Sequence, residues 1–198
     1  MFVTFEGLDG SGKTTQLRLV AELLREDGRD VVETREPGGT ELGERIRDLV
    51  LHAGDVAPWA EAALFAASRA QHVTKVIRPA LGRGAAVLCD RYVDSSLAYQ
   101  GIARGLGLEN VLALNLTAVD GLLPDRTFLL LVDAPTAAAR MDIERDRIER
   151  ESLAFQERVD GAYRELAERY PERIVALDGS LPPETLAERI HDSLRDGS

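Results

Sequence analysis

The chain has 198 residues, 44% of them hydrophobic and 29% charged, an ordinary make-up for a globular chain and enough for a folded core in one domain over residues 1–198. Its 34 acidic residues outnumber 24 Lys and Arg, for a formal net charge of −10. That argues against a nucleic-acid-binding surface, which needs a basic stripe, and requires any anionic substrate to be held by locally placed cations. Cys89 is the only cysteine, so an intramolecular disulfide is excluded and a reducing cytoplasm fits. The longest apolar run, Thr127 to Ala134, is far short of a membrane span, and the immediate entry into a strand gives no expectation of a signal peptide.

Phe2 opens a short, β-prone apolar run that leads into Gly7-x-x-x-x-Gly12-Lys13-Thr14. An amphipathic helix follows, with Leu17, Val20, Ala21 and Leu24 at i, i+3, i+4 and i+7. Strand, glycine-rich turn and helix N-terminus together form the setting of a P-loop. Glycines let the backbone turn its N–H groups inward on phosphate oxygens, and the start of the helix adds unpaired N–H groups and a positive dipole end. Gly7, Leu8, Asp9, Gly10, Ser11, Gly12, Lys13, Thr14 and Thr15 are therefore the expected nucleoside-triphosphate cradle. Lys13 would reach the β/γ-phosphates and Thr14 would ligate Mg²⁺.

Gly28 stops the first helix, and Val31 to Thr34 reads as a second strand. Arg35-Glu36-Pro37-Gly38-Gly39-Thr40 is a loop, and Glu41 to His52 a helix. Pro58 begins a long helical segment reaching about Leu81, which Arg83-Gly84 breaks. Ala85 to Asp90 is an apolar strand ending in a carboxylate, which could hold Mg²⁺ opposite Thr14. Helices are expected over Ser95 to Gln100 and Leu108 to Leu122, and a fully buried strand over Thr127 to Asp133. Pro135 suits the first turn of a helix from Thr136, and the charge-dense stretch Arg140 to Arg150 follows. A helix from Ser152 to Arg169, a strand from Arg173 to Asp178 and a helix opened by Pro183 complete the chain.

Five strands separated by helices imply right-handed crossovers and a three-layer α/β/α sandwich around a five-stranded parallel sheet. Gly7, Arg35, Asp90 and Asp178 each close or follow a strand, so they should gather on the carboxyl edge, where such folds bind ligands. Phe65 and Arg69 share a helix face. On spacing alone, a core phenylalanine beside a surface arginine is the plainer reading, and stacking on a nucleobase is the alternative. The arginines at 140, 145, 147 and 150 form either a site for developing phosphoryl charge or a solvated face neutralised by neighbouring acids. His52, His72 and His191 have no ligand spacing and read as surface or structural residues.

Taken together, Phe5-Glu6-Gly7-Leu8-Asp9-Gly10-Ser11-Gly12-Lys13-Thr14-Thr15, Arg35-Glu36-Pro37-Gly38-Gly39-Thr40, Phe65-Ala66-Ala67-Ser68-Arg69-Ala70-Gln71, Asp90-Arg91-Tyr92 through Ala98-Tyr99-Gln100-Gly101, and Asp146-Arg147-Ile148-Glu149 resemble the bacterial thymidylate kinases over nearly the whole chain. The resemblance implies direct phosphorylation of dTMP to dTDP by ATP and Mg²⁺ in dTTP biosynthesis, by a cytoplasmic homodimer. It implies that Phe65 stacks on thymine and Arg69 hydrogen-bonds its O4, which reverses the plainer reading of that pair. Ser96 and Gln100 would lie near the base and Tyr99 under the deoxyribose. Asp9 would receive the 3′-hydroxyl or help hold the metal with Thr14 and Asp90. Arg35 and Arg91 would clamp the acceptor phosphate, and Asp178-Gly179-Ser180 would lie near adenine. The segment 140–150 corresponds to a lid over ATP. Because the P-loop carries Asp9 and no basic residue at its variable positions, the lid should supply the catalytic arginine, with Arg147 the leading candidate beside Lys13, Arg91 and Asp9. This lid lacks the usual glycine before Asp146 and is unusually acidic. The competing readings are another small-molecule P-loop kinase, or a nucleotide-binding switch, for which the guanine-reading Asn-Lys-x-Asp sequence is absent.

Overall fold

The computed structural model describes residues 1–140, 146–148 and 150–196. β1 (Phe2–Glu6), β2 (Val31–Arg35), β3 (Ala86–Asp90), β4 (Arg126–Leu131) and β5 (Ile174–Asp178) form one sheet in the order β2-β3-β1-β4-β5. Every pairing is parallel. The register sets Phe5 beside Asp90 and Glu6 beside Leu129, so β3 and β1 end within one residue of each other and β4 runs two residues further.

Side chains alternate across a strand, and the two faces carry two separate cores. Val3, Phe5, Leu88, Phe128 and Leu130 pack with Leu17, Val20 and Leu24 of α1 (Lys13–Glu26) and Leu186, Ile190 and Leu194 of α9 (Pro183–Asp196). Phe2, Val87, Cys89 and Leu129 face the other way, onto Ile46 and Val50 of α2 (Glu41–His52), Ile77, and Val159 and Leu166 of α8 (Leu153–Arg169). Both faces of the central strands are covered, which is why they read as continuous apolar runs.

The long helical segment from Pro58 is interrupted. α3 (Pro58–His72) passes through a π-helical turn, Val73–Ile77, into α4 (Arg78–Gly82). Pro79 explains the break: its ring displaces the carbonyl four residues back and it has no N–H to donate, so the helix widens before it. The helix expected over Ser95 to Gln100 is α5 (Val93–Ser96) followed by a π-helical turn, Leu97–Ala103. α6 (Leu108–Ala118) ends before Leu122 because Asp120 and Gly121 adopt positive φ, which a right-handed helix cannot continue. Asp133 does not extend β4; it caps α7 (Ala134–Ala139), its Oδ1 accepting the Thr136 N–H at 2.8 Å.

A buried ion pair ties α5 to the sheet. Both Asp94 carboxylate oxygens accept from Arg173, at 2.5 and 2.8 Å, and Oδ2 also accepts from Thr127 Oγ1. Asp94→Ala would strand the Arg173 guanidinium in a buried setting and should lower unfolding free energy by about 3 kcal/mol, read by chemical denaturation. A change under about 0.5 kcal/mol would contradict this account.

Candidate active site

The turn between β1 and α1 is a concave nest at the sheet's carboxyl edge. Gly10, at φ 81°, lies so close to α7 that a Cβ there would meet the Ala137 carbonyl oxygen. Gly12 occupies the N-cap of α1 with no side-chain cap, so the first N–H groups of the helix stay available to an anion. Asp9 through Thr15 line a cleft of about 1300 Å³ whose far wall is Ser180–Pro183 after β5, with Arg140 at its rim. Lys13 is buried; its Nζ donates to the Leu8 carbonyl at 2.8 Å and lies 3.8 Å from Asp9. Gly7 and Leu8 support the cradle from below and do not line the cleft: Gly7 packs on the Leu130 carbonyl and the Leu8 side chain enters the core. Thr14 Oγ1 donates to Asp90 Oδ2 at 2.6 Å. These two hard oxygen donors beside a phosphate cradle suit Mg²⁺, which takes few protein ligands and completes its shell with water and phosphate oxygens. Among the described residues no group of three or more His, Cys, Asp or Glu would hold a metal by itself.

A second cavity opens from the same place. Asp9 and Arg91 line both spaces, and Arg91 Nη2 donates to Asp9 Oδ1 at 2.6 Å. Arg91 follows β3 with φ 69°, the left-handed region, and its N–H donates to the Phe5 carbonyl. Its guanidinium also reaches Ser95 Oγ and Tyr163 Oη and lies over the Tyr99 ring. Burial pushes Asp9 upward, but the charges of Arg91 and Lys13 outweigh it and hold its pKa down at about 2. Phe65, Arg69, Ser96, Tyr99 and Gln100 all line this second cavity, with Pro37, Leu51 and Ile148 as apolar walls.

Arg69 is not a surface residue; it is 1% exposed. Its Nε donates to Glu36 Oε2 at 2.6 Å, Nη1 to Ser96 Oγ and Asn115 Oδ1, and Nη2 to the Tyr92 carbonyl. One Nη2 hydrogen is left for a ligand. His72 holds the other Glu36 oxygen and also meets Thr34, a structural role as its spacing suggests.

Two expected residues lie outside the second cavity. Arg35 lines the phosphate cleft, bound to Glu44 at 3.0 Å, and does not reach the second cavity. Arg147, the leading lid arginine, lines neither space: Nη2 donates to Glu61 Oε2 at 2.5 Å and Nε to the Val50 carbonyl. A buried carboxylate offers it a stronger partner than solvent. Among the described residues of the segment, Arg140 is the arginine at the cleft, donating to the Gly179 carbonyl at 3.3 Å. Arg145 lies outside the described residues.

Sequence reasoning did not single out Arg47, which lines both cavities from α2 and donates to the Pro37 carbonyl. Its place on α2, the helix that follows the Glu36-Pro37 loop, was the available signal. Glu6 was also missed as a functional support. Fully buried, it accepts from Tyr92 N–H, Ser95 N–H, Ser95 Oγ and Tyr163 Oη, the groups that surround Arg91. A glutamate at the end of an otherwise apolar strand was its signal. Burial first, and then the Asp94 charge, raise its pKa to about 7 despite Arg91 and these hydrogen bonds.

A parallel α/β/α sheet whose first strand feeds a phosphate cradle, with a second cavity across a shared Asp–Arg pair, defines a P-loop kinase of small molecules. The thymidylate kinase family model matches residues 5–190. The chain belongs to the thymidylate kinase family and is an enzyme, a transferase of the kinase class. It is 52% identical to a thymidylate kinase of Clavibacter sepedonicus, covering 96% of this chain and 92% of that protein. It is 48% identical to one from Exiguobacterium, covering 97% and 92%. A crystal structure of thymidylate kinase from Ehrlichia chaffeensis superimposes with a TM-score of 0.80 at 35% identity, covering 96% of this chain and 97% of that one. Among the described residues no helix is long and apolar enough to cross a membrane.

The folded state keeps the Glu6 proton up to about pH 7, whereas the ordinary glutamate releases it near 4.5. Between these values the folded state binds more protons, so stability falls as pH rises. Relative to Glu6→Gln, the unmodified protein should lose up to about 3 kcal/mol between pH 4.5 and 8, measured by urea denaturation across the series. Parallel curves for the two proteins would contradict the assignment.

Proposed function

We propose that the enzyme phosphorylates dTMP to dTDP with ATP and Mg²⁺, by direct in-line transfer. The observation that carries this reading is the meeting of an anion cradle and a pyrimidine-sized cavity at Asp9 and Arg91. ATP fills the larger cleft, its phosphates on Gly10 to Thr15 and its adenine toward Ser180–Pro183. dTMP fills the smaller one, with thymine against Phe65, its O4 on the free Arg69 hydrogen, its sugar over Tyr99 and its phosphate toward Arg91 and Arg47.

A phosphate oxygen of dTMP attacks the γ-phosphorus as the bond to the β-bridging oxygen breaks and ADP departs. Lys13 and Arg91, both beside Asp9 Oδ1, offset the repulsion between two anionic groups, and rigid placement supplies the alignment. No covalent intermediate on the protein is needed. Asp9, held ionised by Arg91 and Lys13, is placed to accept the deoxyribose 3′-hydroxyl. Thr14 and Asp90 would hold Mg²⁺, which supplies neutralisation of phosphate charge when bound. We assign the lid arginine that faces ATP to Arg140 and give Arg147 an anchoring part.

The chain acts as one kinase domain, 1–198, with a lid at about 140–150. It works in the cytoplasm, in dTTP biosynthesis, as a homodimer. The support for the last point is that α2 and α3 leave Leu42, Leu49 and Trp59 about half exposed, apolar surface that a second copy would cover.

Coupled detection of ADP with a panel of dTMP, dUMP, dCMP, dGMP and thymidine tests the reading. dTMP should be the preferred acceptor and thymidine inert. Lys13→Ala and Arg91→Ala should each lower kcat by about a hundredfold or more. Phosphorylation of thymidine without that of dTMP would overturn it, as would unchanged turnover in both variants.

A further inference from the structure

Glu61, on α3, is completely buried and lies outside both cavities. Its Oε1 accepts from Gln100 Nε2 at 2.8 Å and from Arg104 Nε at 2.7 Å. Its Oε2 accepts from Arg104 Nη2 at 3.1 Å and Arg147 Nη2 at 2.5 Å. Burial alone would raise its pKa, but the Arg104 and Arg147 hydrogen bonds outweigh burial and hold it below the ordinary value, so the group is a carboxylate. A carboxylate only accepts hydrogen bonds.

That fixes Gln100. Its amide must turn the NH₂ toward Glu61, and the opposite turn would set two oxygens against each other. Gln100 lines the acceptor cavity, and among the described residues no donor reaches its Oε1. The cavity therefore presents one fixed acceptor, Gln100 Oε1, beside one fixed donor, the free Arg69 Nη2 hydrogen. We propose that Glu61 is a positioning residue that sets base specificity through Gln100, making the pocket a reader of an imide N3–H beside a 4-carbonyl. Thymine and uracil offer that pair. Cytosine offers the reverse, an unprotonated N3 and a 4-amino group, and meets an acceptor with an acceptor. Arg104 and Arg147 hold the carboxylate from the far side.

The inference rests on dTMP as acceptor. Calorimetric titration of the full chain with dTMP and with dCMP gives the ratio of their Kd values. Glu61→Gln offers Gln100 either a donor or an acceptor and frees its amide to turn. The dTMP preference should fall about tenfold, the worth of one hydrogen bond made or mismatched. Glu61→Asp stays acceptor-only and should keep the preference while sharing the loss of packing. Weakening of both nucleotides in equal proportion in Glu61→Gln, or equal loss of preference in Glu61→Asp, would overturn the proposal in favour of a purely structural role. Should Glu61→Gln fail to fold, Gln100→Leu must lose the same preference, and its retention would overturn the proposal. Unmodified protein that binds neither nucleotide would overturn the acceptor assignment itself; protein that prefers dTMP and keeps that preference in Glu61→Gln would overturn only the role of Glu61.

Discussion

The Arg91–Asp9 pair is the joint of the molecule. Asp9 belongs to the P-loop, Arg91 to the turn after β3, and the parallel pairing of β1 with β3 brings them within 2.6 Å. Arg91 reaches that point only by adopting a left-handed backbone, an unfavourable conformation for a residue with a side chain. The hydrogen bond from its N–H to Phe5 and the contacts of its guanidinium with Asp9, Ser95 and Tyr163 hold it there. The same contacts keep a cation fixed where two phosphate-bearing ligands would meet, in a chain whose net charge of −10 opposes both.

Buried carboxylates orient the groups around this joint. Glu36 aims Arg69, Glu61 aims Gln100, and Glu6 collects Tyr92, Ser95 and Tyr163 behind Arg91. In each case a carboxyl oxygen that accepts fixes which way a donor points, and the ligand-facing atom is what remains. Preorganisation of this kind places charge and hydrogen bonds before the ligand arrives, which is where enzymes gain most from them.

Much of this was legible in the chain. The cradle is local: glycines, Lys13 and Thr14 act within one turn, so their spacing suffices. The strands were legible because both faces of the sheet are covered, and parallel order follows from alternating strands and helices. Periodicity passed over two local breaks: Pro79 widens the helix before it, and Asp120 leaves the helical region. What else escaped was non-local. Arg69 could be read as surface because spacing does not show Glu36, 33 residues away in sequence, waiting to neutralise it. That Arg147 lies away from both cavities is hidden for the same reason. Its partner Glu61 lies 86 residues away in sequence, and a charge-dense stretch gives no sign of which arginine a distant buried acid will capture.

The central claim is that one phosphoryl group can cross the short gap between a phosphate cradle and a thymine-reading cavity. A crystal structure with a non-hydrolysable ATP analogue and dTMP bound together tests it most directly. The account predicts thymine stacked on Phe65 with its O4 on Arg69, and the two terminal phosphates facing each other in line between Lys13 and Arg91. A dTMP bound elsewhere, or a thymine lying away from Phe65 with its phosphate out of reach of Arg91, would contradict it.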